Sequence, residues 1–452
     1  MDRLSLSPAE YRALASRAVE ITTQYLERLR ELPSFPSTSG DETSARFDEP
    51  LPERGIGAAA LEDLQAVLAL ARPGGPRFFG YVLGSGEPVA AVADLVASVL
   101  NQNVTAWRSG PAAVTIERTV VRWLAEAIGC KDFTGSFTGG GSMANLMALA
   151  MARGASPTGT LYASTEAHMS IPKAAALLGL GYDAVRAVVV DASFRMVPEA
   201  LDRAIRDDLA AGKRPIAVIA TAGTVAMGSI DPLDAVAEVA KAHGLWLHVD
   251  GAYGALAALA VPETFRGLDR ADSISIDPHK WLYQPLDCGC LLYRDPAVAR
   301  ATFSHTGDYA QSLQSDPDES FAFFEESLEL SRRFRALKVW LSLRYHGVGA
   351  FREAIRGDLA LAQRLASRID AEPALERLAP VALSAVCFRH EGSDDFNRRI
   401  LQRIIRRGRV YISNATIGGR FALRACIVNH RSRPEDVDAI VSETLAAAAE
   451  VA

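Results

Sequence analysis

The chain has 452 residues, of which 49% are hydrophobic and 23% are charged, and its formal net charge is −6. This composition is typical of a soluble globular protein with about two or three structural units. The negative charge excludes general attraction to nucleic acid or to an anionic membrane, and no apolar run reaches membrane-spanning length. Five scattered cysteines and the lack of a visible signal peptide predict a cytoplasmic protein with reduced thiols and no metal site.

The first predicted element is an amphipathic helix near the start of the chain. Ser7 to Glu10 has the pattern of a capping box with proline in the first turn, and apolar residues up to Leu29 fall mostly on one helical face. A linker rich in Pro, Ser and Asp follows at 33–52. The apolar face must be buried on the same chain or on a second one. We assign residues 1–84 to an N-terminal helical arm.

Residues 85–337 alternate between helix-like and strand-like patterns, which predicts a large α/β domain. Such alternation is typical of a mostly parallel sheet with helices on both faces and ligands at the carboxyl ends of its strands. The candidate strands are 160–163, 187–190, 216–220, 245–249, 273–276 and 290–293. Residues 338–452 have a smaller α+β pattern. Its candidate elements are helices at 351–369 and 396–407, strands at 383–389 and 421–428, and a surface helix at 441–452.

A glycine-rich turn lies directly before a strong helix-forming segment within the large domain. Residues 139–141 are glycines, Ser142 follows them, and the helical segment continues to Arg153. Backbone N–H groups at the start of a helix, together with the helix dipole, favour binding of an anion such as a phosphate. The turn matches neither the dinucleotide fingerprint nor the Walker loop, so nucleotide binding has no specific support.

Two later strands end in residues that suit one cofactor. Asp250 closes an apolar strand and is followed by small residues, and Lys280 comes just after the strand at 273–276. Taken alone, Asp250 is compatible with a helix cap or a turn, and Lys280 with a solvated loop charge. In the order glycine loop, aspartate, lysine, they predict pyridoxal 5'-phosphate, with Lys280 as the Schiff-base amine and Asp250 as the partner of the ring nitrogen.

Three motifs in a fixed order carry a family resemblance: His248-Val-Asp-Gly-Ala-Tyr253, Asp277-Pro-His-Lys-Trp281 and Ser331-Arg-Arg-Phe-Arg-Ala-Leu-Lys-Val-Trp340. With them the chain resembles the group II pyridoxal-phosphate decarboxylases over residues 78–424, and particularly the aromatic-L-amino-acid decarboxylases. The resemblance implies the α/β architecture of fold type I, which is aspartate-aminotransferase-like, with a smaller C-terminal α+β domain and an N-terminal helical arm. It also implies a homodimer in which the arm packs on the second subunit.

The resemblance also assigns a set of cofactor-binding residues. The set is Gly141, Ser142, His168, Thr221, Asp250, Ala252, Asp277, His279 and Lys280. Within it, His168 is expected to stack on the cofactor ring and touch the substrate carboxylate, while Ala252 leaves room on the opposite face. His279 is expected to help hold the phosphate. Met143 departs from the glutamate of many relatives. The positions whose roles stay open are Met143, Arg108 and Arg424.

The expected reaction is the α-decarboxylation of an aromatic L-amino acid to an amine and carbon dioxide. Its catalytic residues are Lys280, His168, Asp250 and Tyr309. Tyr309 lies in a polar, loop-like segment, and a plain exposed tyrosine is the alternative there. The resemblance implies that Tyr309 protonates the carbanion left when carbon dioxide departs. An oxygen-using aldehyde synthase of the same family, which typically has Phe at this position, and a non-catalytic cofactor-binding protein are the competing hypotheses.

Weaker resemblances predict the residues that bind the substrate. Tyr81 and Gly84 match the N-terminal region that touches the substrate ring in the family. Thr105 replaces an aromatic residue of animal relatives, and Ser331 resembles plant relatives that act on phenolic rings. Together these residues favour a tyrosine-like or smaller substrate.

Overall fold

The computed structural model describes residues 4–305 and 316–452, and its N-terminal part is helical. The helices are α1 (Pro8–Arg28), α2 (Gly40–Phe47), α3 (Asp63–Leu70), α4 (Pro88–Leu100) and α5 (Pro111–Ala127). The capping box begins α1 as predicted: the Ser7 hydroxyl accepts from the Glu10 N–H at 3.3 Å, and Glu10 Oε2 accepts from the Ser7 N–H at 2.7 Å. Across the described residues, no helix combines the length and apolar character needed to cross a bilayer.

A sheet of seven strands forms the centre of the large domain. The strands are β1 (Thr134–Thr138), β2 (Thr160–Ser164), β3 (Val185–Val188), β4 (Pro215–Thr221), β5 (Trp246–Asp250), β6 (Ser273–Ile276) and β7 (Gly289–Tyr293). Their spatial order is β1-β7-β6-β5-β4-β2-β3. Strands β2 to β6 pair in parallel, whereas β7 is antiparallel to both β1 and β6. The predicted fold class is confirmed, although β1 was not among the predicted strands.

Helices cover this sheet, so its strands are shielded from solvent. They are α6 (Gly141–Arg153), α7 (Ser170–Leu177), α8 (Pro198–Ala210), α9 (Leu233–Ala242), α10 (Pro278–Trp281) and α11 (Pro296–Phe303). Every residue of β2, β6 and β7 is buried. Burial of both faces is typical of a sheet covered by helices on both sides, and the serines of β6 are buried as fully as its isoleucines.

The C-terminal part forms a second, smaller sheet with its own core. Its elements are α12 (Ala336–Asp370), β8 (Leu375–Arg377), β9 (Ala385–His390), α13 (Asp394–Arg407), β10 (Ser413–Ile417), β11 (Arg420–Cys426) and α14 (Pro434–Val451). The strands are antiparallel in the order β10-β11-β9-β8. Gly347, with φ of 75°, interrupts α12 and separates its first turns from the predicted helix. Helix α14 begins earlier than predicted and buries one face, including Ile440 and Ala447.

Candidate active site

Predicted site residues lie together at one edge of the large sheet, where its parallel strands end. Thr221 ends β4, Asp250 ends β5, and Asp277 follows β6, and these three neighbouring strands are parallel. Since the carboxyl ends of parallel strands meet at the same edge, these side chains converge there. A cavity of about 260 Å³ opens at this point. The predicted residues that line it are Gly141, Ser142, His168, Thr221, Asp250, Ala252, Asp277, His279 and Lys280.

Lys280 reaches the cavity from the short helix α10. Its side chain is 15% exposed, and its Nζ lies 2.9 Å from Asp277 Oδ2. The next residue, Trp281, is fully buried and anchors the helix in the core. The amine is therefore held in a mostly buried position, with one carboxylate as its partner.

Asp250 is a buried carboxylate whose orientation is set by three donors. Its Oδ2 accepts from Asn145 Nδ2 at 3.0 Å. Its Oδ1 accepts from the Ser275 hydroxyl at 3.1 Å and from the Ala252 N–H at 3.2 Å. Donors of this kind stabilise the charged form of a carboxylate and limit its rotation. The arrangement can therefore hold a fixed negative charge against a protonated ring nitrogen.

His168 is oriented by Ser170, the first residue of α7. The backbone N–H of Ser170 donates to His168 Nδ1 at 3.2 Å, and the Ser170 hydroxyl lies 2.7 Å from the same nitrogen. Burial lowers the pKa of His168 below its ordinary value, while the nearby Asp250 carboxylate acts in the opposite direction. A neutral ring whose Nδ1 accepts must carry its proton on Nε2. His168 can therefore offer one N–H donor to a ligand.

The glycine turn brings backbone close to the opposite wall of the cavity. Gly140 has φ of 132°, which disfavours any residue with a side chain. A Cβ at Gly141 would lie 2.6 Å from the Ala252 Cβ and 3.1 Å from Asp277 Oδ2, so only glycine fits there. Helix α6 starts at this residue and runs for 13 residues. Its first N–H groups and its dipole are suited to a phosphate.

Two buried polar atoms test whether pyridoxal phosphate suits these residues. Asp277 Oδ1 and Thr221 Oγ1 have no hydrogen-bond partner among the described residues, and both side chains line the cavity. Buried polar groups are rarely left unpaired, so each points to a ligand or to ordered water. The cavity also offers an amine, a fixed carboxylate and a helix N-terminus. This set of groups fits the carbonyl, ring nitrogen and phosphate of pyridoxal phosphate.

The four predicted substrate residues lie outside this cavity. The Tyr81 hydroxyl lies 3.1 Å from that of Tyr411. The Gly84 N–H donates to the His279 carbonyl at 3.0 Å, and a Cβ there would lie 2.4 Å from that oxygen. Thr105 is partly buried and Ser331 is exposed. Their role in substrate binding stays a prediction, as does that of Tyr309, which lies outside the described residues.

Several residues at the site were not assigned from the sequence. Asn145 lines the cavity and donates to Asp250. It lies one helical turn after Gly141, so its position on the same face of α6 was a usable signal. The other unassigned lining residues include Gly223, Val225, Tyr253 and Leu286. They come from loops, whose direction a local pattern does not reveal.

The three positions with open roles have different surroundings. Arg424 donates to the carbonyls of Val225 and Ala226, and to that of Tyr81, and so connects β11 to the loop beside the cavity. Met143 packs in an apolar cluster of α6 and α11, which explains why this helix position is apolar here. Arg108 is exposed.

A larger depression of about 930 Å³ lies elsewhere, between α5, the segment 258–269 and α12. Apolar side chains such as Leu259 and Phe265 line it, and Arg344 and Arg352 are among its polar residues. It shares no lining residue with the smaller cavity. Chemistry and not volume therefore identifies the candidate active site, since the amine and the fixed carboxylate are in the smaller one.

Comparison with known sequences covers nearly the whole chain. The family model described as the pyridoxal-dependent decarboxylase conserved domain matches residues 59–391. An aromatic-L-amino-acid decarboxylase of Bacillus atrophaeus is 34% identical, and the alignment covers 100% of this chain and 98% of that protein. A phenylacetaldehyde synthase of a Rosa hybrid cultivar is 30% identical, with 94% of this chain and 91% of that protein covered.

Solved structures have the same architecture. The crystal structure of Oryza sativa TDC with PLP and tryptamine has a TM-score of 0.92 at 27% identity and covers 98% of this chain and 99% of that one. Mouse CSAD also has a TM-score of 0.92, at 28% identity, with the same coverage of 98% and 99%. The likeness therefore includes both sheets and the N-terminal helices.

Proposed function

This chain belongs to the pyridoxal-dependent decarboxylase family, and from that premise we propose that it converts an aromatic L-amino acid to the corresponding amine and carbon dioxide. It is a carboxy-lyase, and its cofactor is pyridoxal 5'-phosphate. The observation that carries the proposal is the convergence of Lys280, Asp250 and His168 on one cavity. The aromatic substrate is supported by the activity in the name of the Bacillus atrophaeus relative, which matches the full chain.

Each of these residues has a role that its surroundings support. When bound, pyridoxal phosphate supplies an electron sink for the bond that breaks at the α-carbon. Lys280 supplies the amine that attaches it, and Asp250 keeps a negative charge beside its ring nitrogen. His168, with its proton on Nε2, donates a hydrogen bond to the substrate carboxylate. The N-terminus of α6, at Gly141 and Ser142, binds the phosphate.

A screen of amino acids tests both the reaction and the substrate. The purified protein is incubated with each of the common amino acids and with DOPA, and carbon dioxide, amine and hydrogen peroxide are measured together. We expect amine and carbon dioxide in equal amounts from one or more aromatic substrates. Turnover restricted to acidic or small amino acids would contradict the aromatic assignment. Saturable cofactor binding without any turnover would favour a non-catalytic binding protein.

An oxygen-using aldehyde synthase is the second candidate function. The Rosa relative named phenylacetaldehyde synthase, at 30% identity, favours it. Tyr309 argues against it, because the aldehyde-forming members typically have Phe at that position. A Tyr309→Phe variant is therefore expected to lose amine formation and to gain aldehyde and peroxide. Amine formation at the native rate in this variant would remove Tyr309 from the mechanism.

A homodimer is supported by apolar surface on the N-terminal helices. In α4, Ala93 and Ala97 are buried, whereas Val92, Val96 and Val99 are 59%, 46% and 61% exposed. The three valines lie near spacings of four and three residues, so they share one helical face. A continuous exposed apolar face of this kind is typical of a subunit interface. Light scattering coupled to size exclusion tests the dimer, and a fully active monomer would rule it out.

We also infer a cytoplasmic location. All five cysteines are free and buried. Unpaired cysteines are typical of proteins in a reducing compartment. Fractionation of the source cells with an antibody to the protein tests this, and recovery of the protein from the medium or an oxidising compartment would contradict it.

A further inference from the structure

A buried row of hydrogen bonds runs behind the cavity, from the large sheet to helix α6. The indole Nε1 of Trp246 donates to the Ser273 hydroxyl at 2.9 Å. Ser273 Oγ lies 2.9 Å from His248 Nδ1, and His248 Nε2 lies 2.9 Å from Asn145 Oδ1. Ser273 and His248 are fully buried, and Asn145 is nearly so. None of the four has been given a part in the reaction above.

The same asparagine touches two groups of the active site. One N–H of its amide donates to Asp250 Oδ2 at 3.0 Å, and the Ser170 hydroxyl lies 2.8 Å from the amide nitrogen. That hydroxyl in turn lies 2.7 Å from His168 Nδ1. Asn145 therefore connects the carboxylate beside the ring nitrogen to the imidazole on the other side of the site.

One set of hydrogen-bond directions satisfies every member of this row. An indole N–H can only donate, so the Ser273 oxygen accepts from it, and His248 Nδ1 is the acceptor within reach of the Ser273 hydroxyl proton. Burial lowers the pKa of His248 to about 4, so the ring is neutral near pH 7. With Nδ1 accepting, the proton of His248 is on Nε2 and is donated to Asn145 Oδ1. The amide oxygen of Asn145 is thereby assigned.

The other end of the row leads independently to the same direction. The backbone N–H of Ser170 donates to His168 Nδ1, so this nitrogen is an acceptor. The Ser170 hydroxyl must then donate to Nδ1 and accept from Asn145 Nδ2. Both ends require the amide nitrogen of Asn145 to face Asp250 and Ser170. In this orientation each polar atom of the Asn145 side chain has its partner.

We propose that Asn145 is a positioning residue that aligns Asp250 and His168 together, and that His248 acts through Asn145 by fixing its amide. The proposal rests on the function proposed for this cavity. It adds a residue that fixes the positions of Asp250 and His168 relative to each other. The amide holds the carboxylate directly and the imidazole through the Ser170 hydroxyl, so disturbing the amide affects both. His248 and Ser273 contribute because they prevent a flip of the Asn145 amide, in which its oxygen and nitrogen would exchange places.

The isosteric substitution Asn145→Asp is the most direct test. It preserves shape but replaces the donor to Asp250 with a second carboxylate. We expect the dissociation constant of pyridoxal phosphate, measured by titrating the cofactor-free protein without substrate, to rise by about tenfold or more. Circular dichroism and the melting temperature verify that the variant is folded. If it does not fold, Asn145→Leu replaces it, with the same expected direction. Affinity equal to that of the native protein would overturn the proposal.

A matched pair at His248 separates positioning from packing. His248→Gln retains an N–H that can reach Asn145 Oδ1, whereas His248→Leu has a similar size and no donor. We expect cofactor affinity within about twofold of native for the glutamine variant and a loss of about three- to tenfold for the leucine variant. Equal losses in both variants would mean that His248 only fills space.

A double-mutant cycle tests whether His248 acts through Asn145. In the Asn145→Leu background, His248→Leu should cause no further loss of cofactor affinity, because the amide that it positions is already gone. Losses that multiply would contradict the proposal. Since these titrations contain no amino acid, they do not depend on the substrate. A native protein that fails to bind the cofactor would instead overturn the function proposed above.

Discussion

The cofactor cavity and the N-terminal helices differ in how far a single chain completes them. Around the cavity, Asp250 has three donors and Lys280 has a carboxylate partner. By contrast, Tyr11, Val19 and Leu26 on α1 are 44%, 56% and 43% exposed. Asp250 and Lys280 are therefore paired within one chain, whereas these apolar side chains of α1 are left in contact with solvent.

This difference indicates which parts of the protein the proposed second subunit would complete. Exposed apolar side chains are unfavourable by about 25 cal/mol per Å² of surface, so a helix face of this kind is expected to be covered. Cofactor binding should then be a property of each chain. Assembly should depend on the exposed apolar faces of α1 and α4. Variants in each region should therefore separate cofactor binding from assembly.

Loss of the amine should abolish activity while leaving assembly intact. A Lys280→Ala variant is expected to lose decarboxylase activity by about 10⁴-fold or more, because the group that attaches the cofactor is removed. Borohydride treatment of the native protein should add the cofactor mass to the peptide that contains Lys280. As a control, Lys131→Ala changes an exposed lysine and should retain native activity. Labelling at another lysine would refute the assignment.

Loss of the fixed negative charge should have the next largest effect. Asp250→Asn keeps the shape of the side chain but removes the charge beside the ring nitrogen, and kcat should fall by about 10²-fold or more. Asp272→Asn is a matched control, because Asp272 accepts from the Leu247 N–H at the opposite end of the same strands. Its kcat should stay near that of the native protein. Similar losses in both variants would point to general disturbance of the sheet.

A charge on the exposed face of α4 should weaken assembly and not the cavity. Val96→Asp places a carboxylate on the apolar face, and the dimer dissociation constant should rise by at least about tenfold. Sedimentation velocity over a range of protein concentrations measures this. Leu209→Asp alters an apolar side chain of α8 that is also about half exposed, and it should leave assembly unchanged. If only the α8 variant dissociates, the interface lies elsewhere.

The smallest effect should be on thermal stability, and it should come from a buried acid between the two sheets. Asp358 on α12 accepts from the Tyr283 hydroxyl and from the Asn429 N–H, both at 2.9 Å. Burial raises its pKa from 3.8 to about 8. The folded protein thus keeps a proton on Asp358 that the unfolded chain loses near pH 4. The free energy of unfolding should fall from about pH 4 to pH 8, and this loss should level off above pH 8.

Melting temperatures from pH 5.5 to 8.5 test this acid. Relative to the native protein, Asp358→Asn should become more stable by a few degrees as the pH rises, because it has no proton to lose. Asp438→Asn is the control. Its carboxylate is partly exposed beside Arg364, which lowers its pKa, so its protonation does not change in this range. Parallel curves for the native and Asp358→Asn proteins would refute the prediction.

Local chemistry made much of the cofactor site predictable from the sequence. Asp250 ends one strand and Lys280 follows another, and recognisable turn residues come after both strands, so neighbouring residues alone indicated their place at the sheet edge. The glycines before α6 are a weak signal alone, since such turns are common, but their order with Asp250 and Lys280 made the phosphate site predictable. The capping box of α1 is also formed within four residues. In each case the determining contacts are close along the chain.

Features that depend on partners far along the chain became visible only in the folded protein. Strand β1, with the sequence Thr-Gly-Ser-Phe-Thr, has little strand character and exists because it pairs with β7, more than 150 residues away. The role of Asn145 could not be predicted from its own segment, because its partners His248 and Asp250 lie more than 100 residues further along the chain. Such contacts depend on how the strands are ordered, and periodicity within one segment carries no information about that order.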